Sequence, residues 1–242
     1  MKLAPAYRHI AVSLSLMLTP MLAHAQAIPA FKADFSVKAF GFNLGLAHQN
    51  MTCDEALNCT IESVAKPEGW IANFVDESSI ESIELQQAAD RFKWVSYQKT
   101  TLKKDRVAKI ETLKRNQSEK RIEYVEKQRF WPQQPNVYDA SSLAYAIQYW
   151  KLNNQPLEEI YLQDNKHQEK LHFNRIDQAV KLELPFRKKD LNALRYDFSS
   201  RQASIQLWLL PDYDYFPGKI RIENTDEDRV IILTLAKPPQ FQ

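Results

Sequence analysis

Glycine is scarce in this chain, with 4 among 242 residues. A phosphate-binding loop or a dinucleotide fingerprint needs several glycines at fixed spacing, and neither is present. Nucleophile-elbow and zinc motifs are missing as well. Histidine is sparse, and beyond the N-terminal segment only His48, His167 and His172 occur, scattered along the chain. Nothing in their spacing brings a base and an acid to a serine. No cofactor, no metal and no catalytic residues are therefore expected. After that segment no apolar run is long enough for a bilayer-crossing helix, so the chain is not expected to span a membrane. Internal repeats, low-complexity tracts and domain linkers are also lacking.

Cysteine is limited to 2 residues, Cys53 and Cys59. In an oxidising compartment this spacing predicts a disulfide closing a short loop between two strand-like runs. The pair lacks the C-x-x-C geometry that activates a thiol, and no histidine lies near to complete a metal site.

The N-terminus explains the compartment. Lys2 and Arg8 precede an apolar run from Ile10 to Leu22, and Ala23-His24-Ala25 matches a small-residue cleavage site. Residues 1–25 are expected to be a signal peptide cleaved after Ala25. Residues 26–242 are expected to form a single β-rich periplasmic domain. The chain carries 32 basic and 30 acidic side chains. Losing Lys2 and Arg8 with the leader brings the two into balance, which gives no reason to expect nucleic acid as a partner.

What is abundant is alternation of apolar and polar residues. Phe31, Ala33, Phe35, Val37 and Ala39 alternate with Lys32, Asp34, Ser36 and Lys38, as in a half-buried strand. Gly41 to Gly45 is read as a turn. Further strands are expected at 46–52, 59–65, 78–85, 92–99, 107–113 and 121–126. A helical turn is expected near Trp70 to Phe74, and 128–137 reads as a loop. Strands resume at 157–162, 171–174, 180–186, 194–198, 203–210, 219–222 and 230–235, with a turn over 211–218. So many short strands predict a mainly β fold: a curved antiparallel meander closing into a barrel or half-barrel.

One segment departs from that pattern. Residues 139–152 read as an amphipathic helix with Asp139 as N-cap and Pro156 beyond its end. Ala140, Leu143, Ala146, Ile147 and Trp150 share one arc, and Tyr145 and Tyr149 fall on the polar side. The helix is expected to pack on or in the sheet. Tyr145, Tyr149 and Trp150, with Trp208, Tyr213 and Tyr215 near a turn, are the candidate ligand-binding residues. Asp212 and Asp214 read as solvated turn carboxylates, too few for a calcium loop. The basic band from Lys99 to Arg129 reads as exposed hairpins protected at their edges by lysine, with anionic headgroups or glycans as the rival reading.

The order of landmarks resembles the bacterial exported proteins of domain-of-unknown-function family 3108. The landmarks are the leader, Phe31 to Val37 with Gly41 and Gly45, then Pro67-Glu68-Gly69 and the Trp94 to Tyr97 strand. Tyr138-Asp139-Ala140-Ser141-Ser142-Leu143 follows, then Leu207-Trp208-Leu209-Leu210-Pro211-Asp212 with Tyr215-Phe216-Pro217. The Lys-rich segment and the cysteine loop depart from the family pattern. The resemblance implies a periplasmic β-rich domain and supplies no catalytic residues.

The leading expectation is a non-enzymatic periplasmic protein that binds a lipid or other apolar small molecule in the concavity of a curved sheet. The alternative is an envelope structural or assembly factor that binds a protein partner through a sheet edge. A hydrolase ranks third.

Overall fold

The computed structural model describes residues 25–88, 91–226 and 228–242. The expected signal peptide, save Ala25, lies outside the described residues. The chain first runs through β1 (Phe31–Ala39), β2 (Phe42–Cys53), β3 (Asn58–Pro67) and β4 (Glu77–Ala88). It continues through β5 (Arg91–Lys103), β6 (Arg106–Asn116), β7 (Arg121–Tyr124) and β8 (Arg129–Pro132). After β9 (Val137–Tyr138) comes the helix α1 (Leu143–Leu152). Then follow β10 (Ile160–Gln163), β11 (Gln168–Leu182), β12 (Leu191–Ser199), β13 (Ala203–Leu210), β14 (Phe216–Asn224) and β15 (Arg229–Leu235). A short β16 (Gln240–Phe241) pairs with the start of β1.

These strands form one 16-stranded sheet in the order β8 back to β1, then β15 back to β9. Within β1 to β8, and again within β9 to β15, each strand pairs with its neighbours in sequence, and the last long strand, β15, closes onto β1. All the pairs are antiparallel except β9 with β10. The sheet therefore runs almost full circle and stops at one seam, between β8 and β9. Side chains tie that seam where no ladder does. Gln168 Nε2 donates to the Pro132 carbonyl at 3.0 Å. The Arg129 guanidinium donates to the carbonyls of Asn165 and Lys166 at 3.4 and 3.3 Å. The expected mainly β, barrel-like architecture is what the structure shows, with the ring left unclosed.

The alternation seen in the sequence decides which face is inside. Phe31 stacks on Tyr145 of α1, and Trp94 Nε1 donates to Asp139 just before the helix. Residues of that parity on each strand point inward. The opposite face carries Lys32, Glu62 and Glu84 in the open, a charged exterior that a hydrocarbon bilayer does not tolerate. Among the described residues, no helix is long and apolar enough to cross a membrane.

Several expectations need correction. The helix begins at Leu143, because residues 139–142 form a turn that leads into it. It is not amphipathic in its setting: Leu143 through Trp150 are all buried, Tyr145, Gln148 and Tyr149 included. A helix enclosed by a curved sheet has no solvent side, so its polar groups must find partners within the protein. Gly45 lies inside β2 rather than in a turn, at φ +139°, where an added Cβ would meet the Lys66 carbonyl oxygen at 2.2 Å. The strands expected at 171–174 and 180–186 are one strand, β11, bent by register shifts between Phe173 and Arg175 and between Asp177 and Val180. Bulges keep its polar middle paired while the strand twists. The expected 128–137 loop contains β8 and β9. The 211–218 turn ends early, because Asp214 and Tyr215 complete the reversal at φ 52° and 57°.

Candidate functional site

The barrel has two unlike ends. At one, α1 is a plug. Asp139 Oδ1 accepts from the backbone N–H of Ser141 and Ser142 at 2.8 and 3.0 Å. Its Oδ2 accepts from Trp94 Nε1 at 2.9 Å and from Ser142 Oγ at 2.6 Å. Full burial raises the Asp139 pKa, and these donors oppose the rise. Tyr145 donates to Gln49 Oε1 of β2, and Tyr149 to the Ala88 carbonyl at the end of β4. Burial pushes the Tyr145 hydroxyl pKa far up, so it stays a neutral donor. Tyr149 packs near Phe92, and Trp150 lies edge-on to Tyr138.

At the other end burial is uneven: inward Ile205 and Phe198 are buried, while their neighbours keep contact with solvent. Inward-facing Val37, Ile176, Ile222 and Leu233 pack on the core yet stay partly exposed. Phe173, Tyr196 and Phe198 form a ring cluster beside them, with Phe173 exposed. Burial, with the nearby Tyr215, raises the Tyr196 pKa to about 12. This wall, from β11 round to β1, is apolar.

The facing wall is polar. Register places Gln49, Ser63, Glu81, Lys99 and Glu111 in one row across β2 to β6. All five share the parity of core residues such as Met51, Ile61, Ile83 and Leu113, so they point inward. Glu81 pairs with Lys99 at 3.5 Å and accepts from Tyr97 at 3.1 Å and Ser141 Oγ at 3.0 Å. Tyr97 is pushed well up by burial and by the charge of Glu81. Glu111 pairs with Lys109 at 2.7 Å and accepts from Tyr124 and Asn165. Burial raises Glu111, but the hydrogen bonds from Lys109 and Asn165 outweigh it and hold its pKa below the ordinary value. Towards the open end, Ser79 and Thr101 continue this wall.

The candidate residues named from sequence do not converge on one surface. Tyr145, Tyr149 and Trp150 belong to the plug, where ring contacts and hydrogen bonds engage them. Trp208 lies on the outer face, covered by Lys219 and Arg195 at 4.9 and 5.9 Å from its ring. Tyr213 meets Phe186 edge-on, and Tyr215 lies under Lys151. Cys53 and Cys59 are opposite each other in β2 and β3 and are joined by a disulfide. A polar recess of about 580 Å³ on the surface beside them involves Thr52, Asp54, Asn58 and Glu84.

The basic band divides. Lys99 and Lys109 turn inward to carboxylates, while Arg121 meets Glu119 and Glu123. His48 pairs with Asp34 at 2.7 Å on the outer face, away from Asp139 and Glu111. Among the described residues no cluster of His, Cys, Asp and Glu is arranged to hold a metal ion. The inward row of Gln49, Ser63, Glu81, Lys99 and Glu111 was not singled out by the sequence reading. Its signal was there: polar side chains in phase with an apolar set.

Comparison with known proteins bears on fold more than on chemistry. A family model described as "Securin sister-chromatid separation inhibitor" matches residues 69–207, more than half of the chain. No curated protein matches the sequence. Among solved structures, a beta-barrel-like protein of domain of unknown function DUF1849 from Brucella abortus is similar at a TM-score of 0.53 and 9% identity. The likeness covers 89% of this chain and 98% of that one. At that identity it is a likeness of fold.

Proposed function

We propose a binding role, taking as premise that the chain belongs to the family of the model it matches and shares a barrel-like fold with a protein of unknown function. The activity in that model's description does not carry over. The matched span starts in the 3-10 turn at Gly69 and stops at Leu207 inside β13, so it cuts across one continuous sheet. The Cys53–Cys59 disulfide also fits an oxidising compartment, not the reducing one in which chromosomes are handled. The resemblance to family 3108, the cleaved leader and the periplasmic address of residues 26–242 belong to this proposal too. The disulfide supports export.

The protein holds an elongated amphiphile in the open half of its lumen and does no chemistry on it. The observation that carries this reading is the two-sided wall. Val37, Ile176, Ile222 and Leu233 offer partly exposed apolar surface, and Ser79, Glu81, Lys99 and Thr101 point inward from β4 and β5. An acyl or similar chain would lie along the first set and its polar head against the second. Tyr145 and Gln49 form the floor. Trp208, Tyr213 and Tyr215 support the scaffold in this reading. Docking through a sheet edge is less favoured, because the edge strands β8 and β9 are 4 and 2 residues long and the seam between them is tied.

Native mass spectrometry of protein purified from exporting cells tests the proposal. The expected result is a retained small amphiphile that organic extraction removes, and that an Ile222→Glu/Leu233→Glu variant no longer carries. A bare protein that also fails to take up added fatty acids or lysophospholipids would overturn it.

A further inference from the structure

The open end of the barrel is also where the exposed aromatic side chains gather. Phe40 and Phe42 sit at the β1–β2 reversal, and Trp70 and Phe74 in and after the 3-10 turn that joins β3 to β4. They are 67, 55, 61 and 77% exposed. They are not scattered: Phe42 meets Trp70 edge-on at 6.2 Å, and Trp70 meets Phe74 at 5.9 Å. Register puts both tips, and the β5–β6 reversal at Lys104 and Asp105, at the end away from the plug. Val107, just past that reversal, is exposed as well.

A contiguous aromatic patch on a soluble domain usually marks an interaction surface. Phe40 strengthens the case. It adopts φ 51°, a left-handed conformation that favours glycine or asparagine, and its ring gains little burial in return. Folding alone does not explain an aromatic residue there.

We infer that these tips insert into the headgroup region of a phospholipid bilayer and set the mouth of the barrel on the membrane surface. Shape selects this occupant. The rings ride on projecting reversals rather than lining a groove, so they suit a deformable, wide surface better than a protein knob. Trp and Phe at such tips are the side chains that favour the membrane interface. Charge makes a further commitment. Lys38, Lys66, Lys104 and Arg106 lie around the patch with Glu68, Asp76, Glu77 and Asp105, and Lys104 pairs with Asp76 at 3.8 Å. That near balance makes insertion apolar in origin, so it holds on zwitterionic lipid and resists salt. Together with the proposed lumen, on which this half of the inference rests, the arrangement lets an amphiphile pass between bilayer and barrel without crossing water.

Vesicle partition of the purified protein tests the inference, with phosphatidylcholine carrying brominated chains as the probe. The expected result is binding with quenched tryptophan fluorescence, little changed between about 0.1 and about 0.5 M salt. Trp70→Ser/Phe74→Ser should weaken partition about tenfold or more while keeping the wild-type melting temperature. Phe40→Ser/Phe42→Ser, read in parallel, should do the same, so one misfolded variant does not decide the matter. Four outcomes overturn it: no partition, undiminished partition in both variants, binding that needs anionic lipid and vanishes with salt, or a tip-dependent dimer in light scattering. Native mass spectrometry of the same variants separates the two proposals. Retained amphiphile with lost vesicle binding is the expected pattern, and a bare lumen in a protein that still binds vesicles defeats the lumen reading alone.

Discussion

The two ends of this barrel are built from the same alternating strands, yet one is packed around a helix and the other holds several inward side chains only partly buried. At the plugged end Phe31, Phe216 and Gln49 meet Tyr145, Phe92 meets Tyr149, and Trp94 donates to Asp139. At the open end the same inward positions carry Val37, Ser79, Thr101, Ile222 and Leu233, which reach solvent and meet no helix. A core needs a second layer, and α1 supplies it over only part of the sheet. Stability therefore concentrates at the plug and freedom to bind at the mouth.

The largest effects should come from breaking the plug. Trp94→Ala would empty a fully buried site and take one of two donors from Asp139 Oδ2, costing about 3–5 kcal/mol in urea unfolding. The matching truncation at the mouth, Leu233→Ala, should cost about 1 kcal/mol, because that side chain is only partly buried. Equal losses would erase the contrast. Next in size is the disulfide. Cys53→Ser/Cys59→Ser should cost about 2 kcal/mol for so short a loop, by the same measurement.

How much of this was legible in the sequence depends on what each residue had to meet. The strands announced themselves, since Phe31 to Ala39 alternate and must lie on a sheet with one face buried. So did the helix, but not its setting: Tyr145, Gln148 and Tyr149 are polar by composition, and only a sheet that curls around them makes them interior. The polar row was missed for a related reason. Glu81, Lys99 and Glu111 are charged, and charge argues for solvent until cross-strand register sets each beside an opposite partner. Trp208 looked like a cavity residue because β13 is apolar on both faces. Parity, seen only with the register, puts it outside under Lys219. The seam could not be read, because nothing in Arg129 to Pro132 says which strand it fails to reach.

Smaller effects sharpen the electrostatic side of the comparison. Glu111 has a folded pKa below its ordinary 4.5. Its contribution is present above that value and is lost as pH falls through the folded pKa. Glu111→Gln should therefore flatten the acid limb of a melting-temperature profile between about pH 5 and pH 2. Asp139 acts with the opposite sign. Its folded pKa lies above the ordinary 3.8, so its contribution favours the folded state at low pH and is lost as pH rises through the folded pKa. Asp139→Asn should lower stability throughout, since the amide cannot accept from every donor, and should leave the acid limb steeper than wild type. Identical acid limbs in the two variants would contradict the assigned signs.

The claim that the mouth is open while the plug is closed can be put to a single labelling experiment, because both native cysteines are tied in a disulfide. Ile222→Cys puts a thiol among the partly exposed inward side chains, and Ile83→Cys puts one in the buried row of Phe31, whose ring stacks on Tyr145 of the plug. The account predicts that Cys at 222 reacts with a maleimide dye in the native protein and is shielded by an added fatty acid, while Cys at 83 reacts only on unfolding. Equal, unfolding-limited labelling at both positions would mean a filled barrel, and the proposed site would not exist.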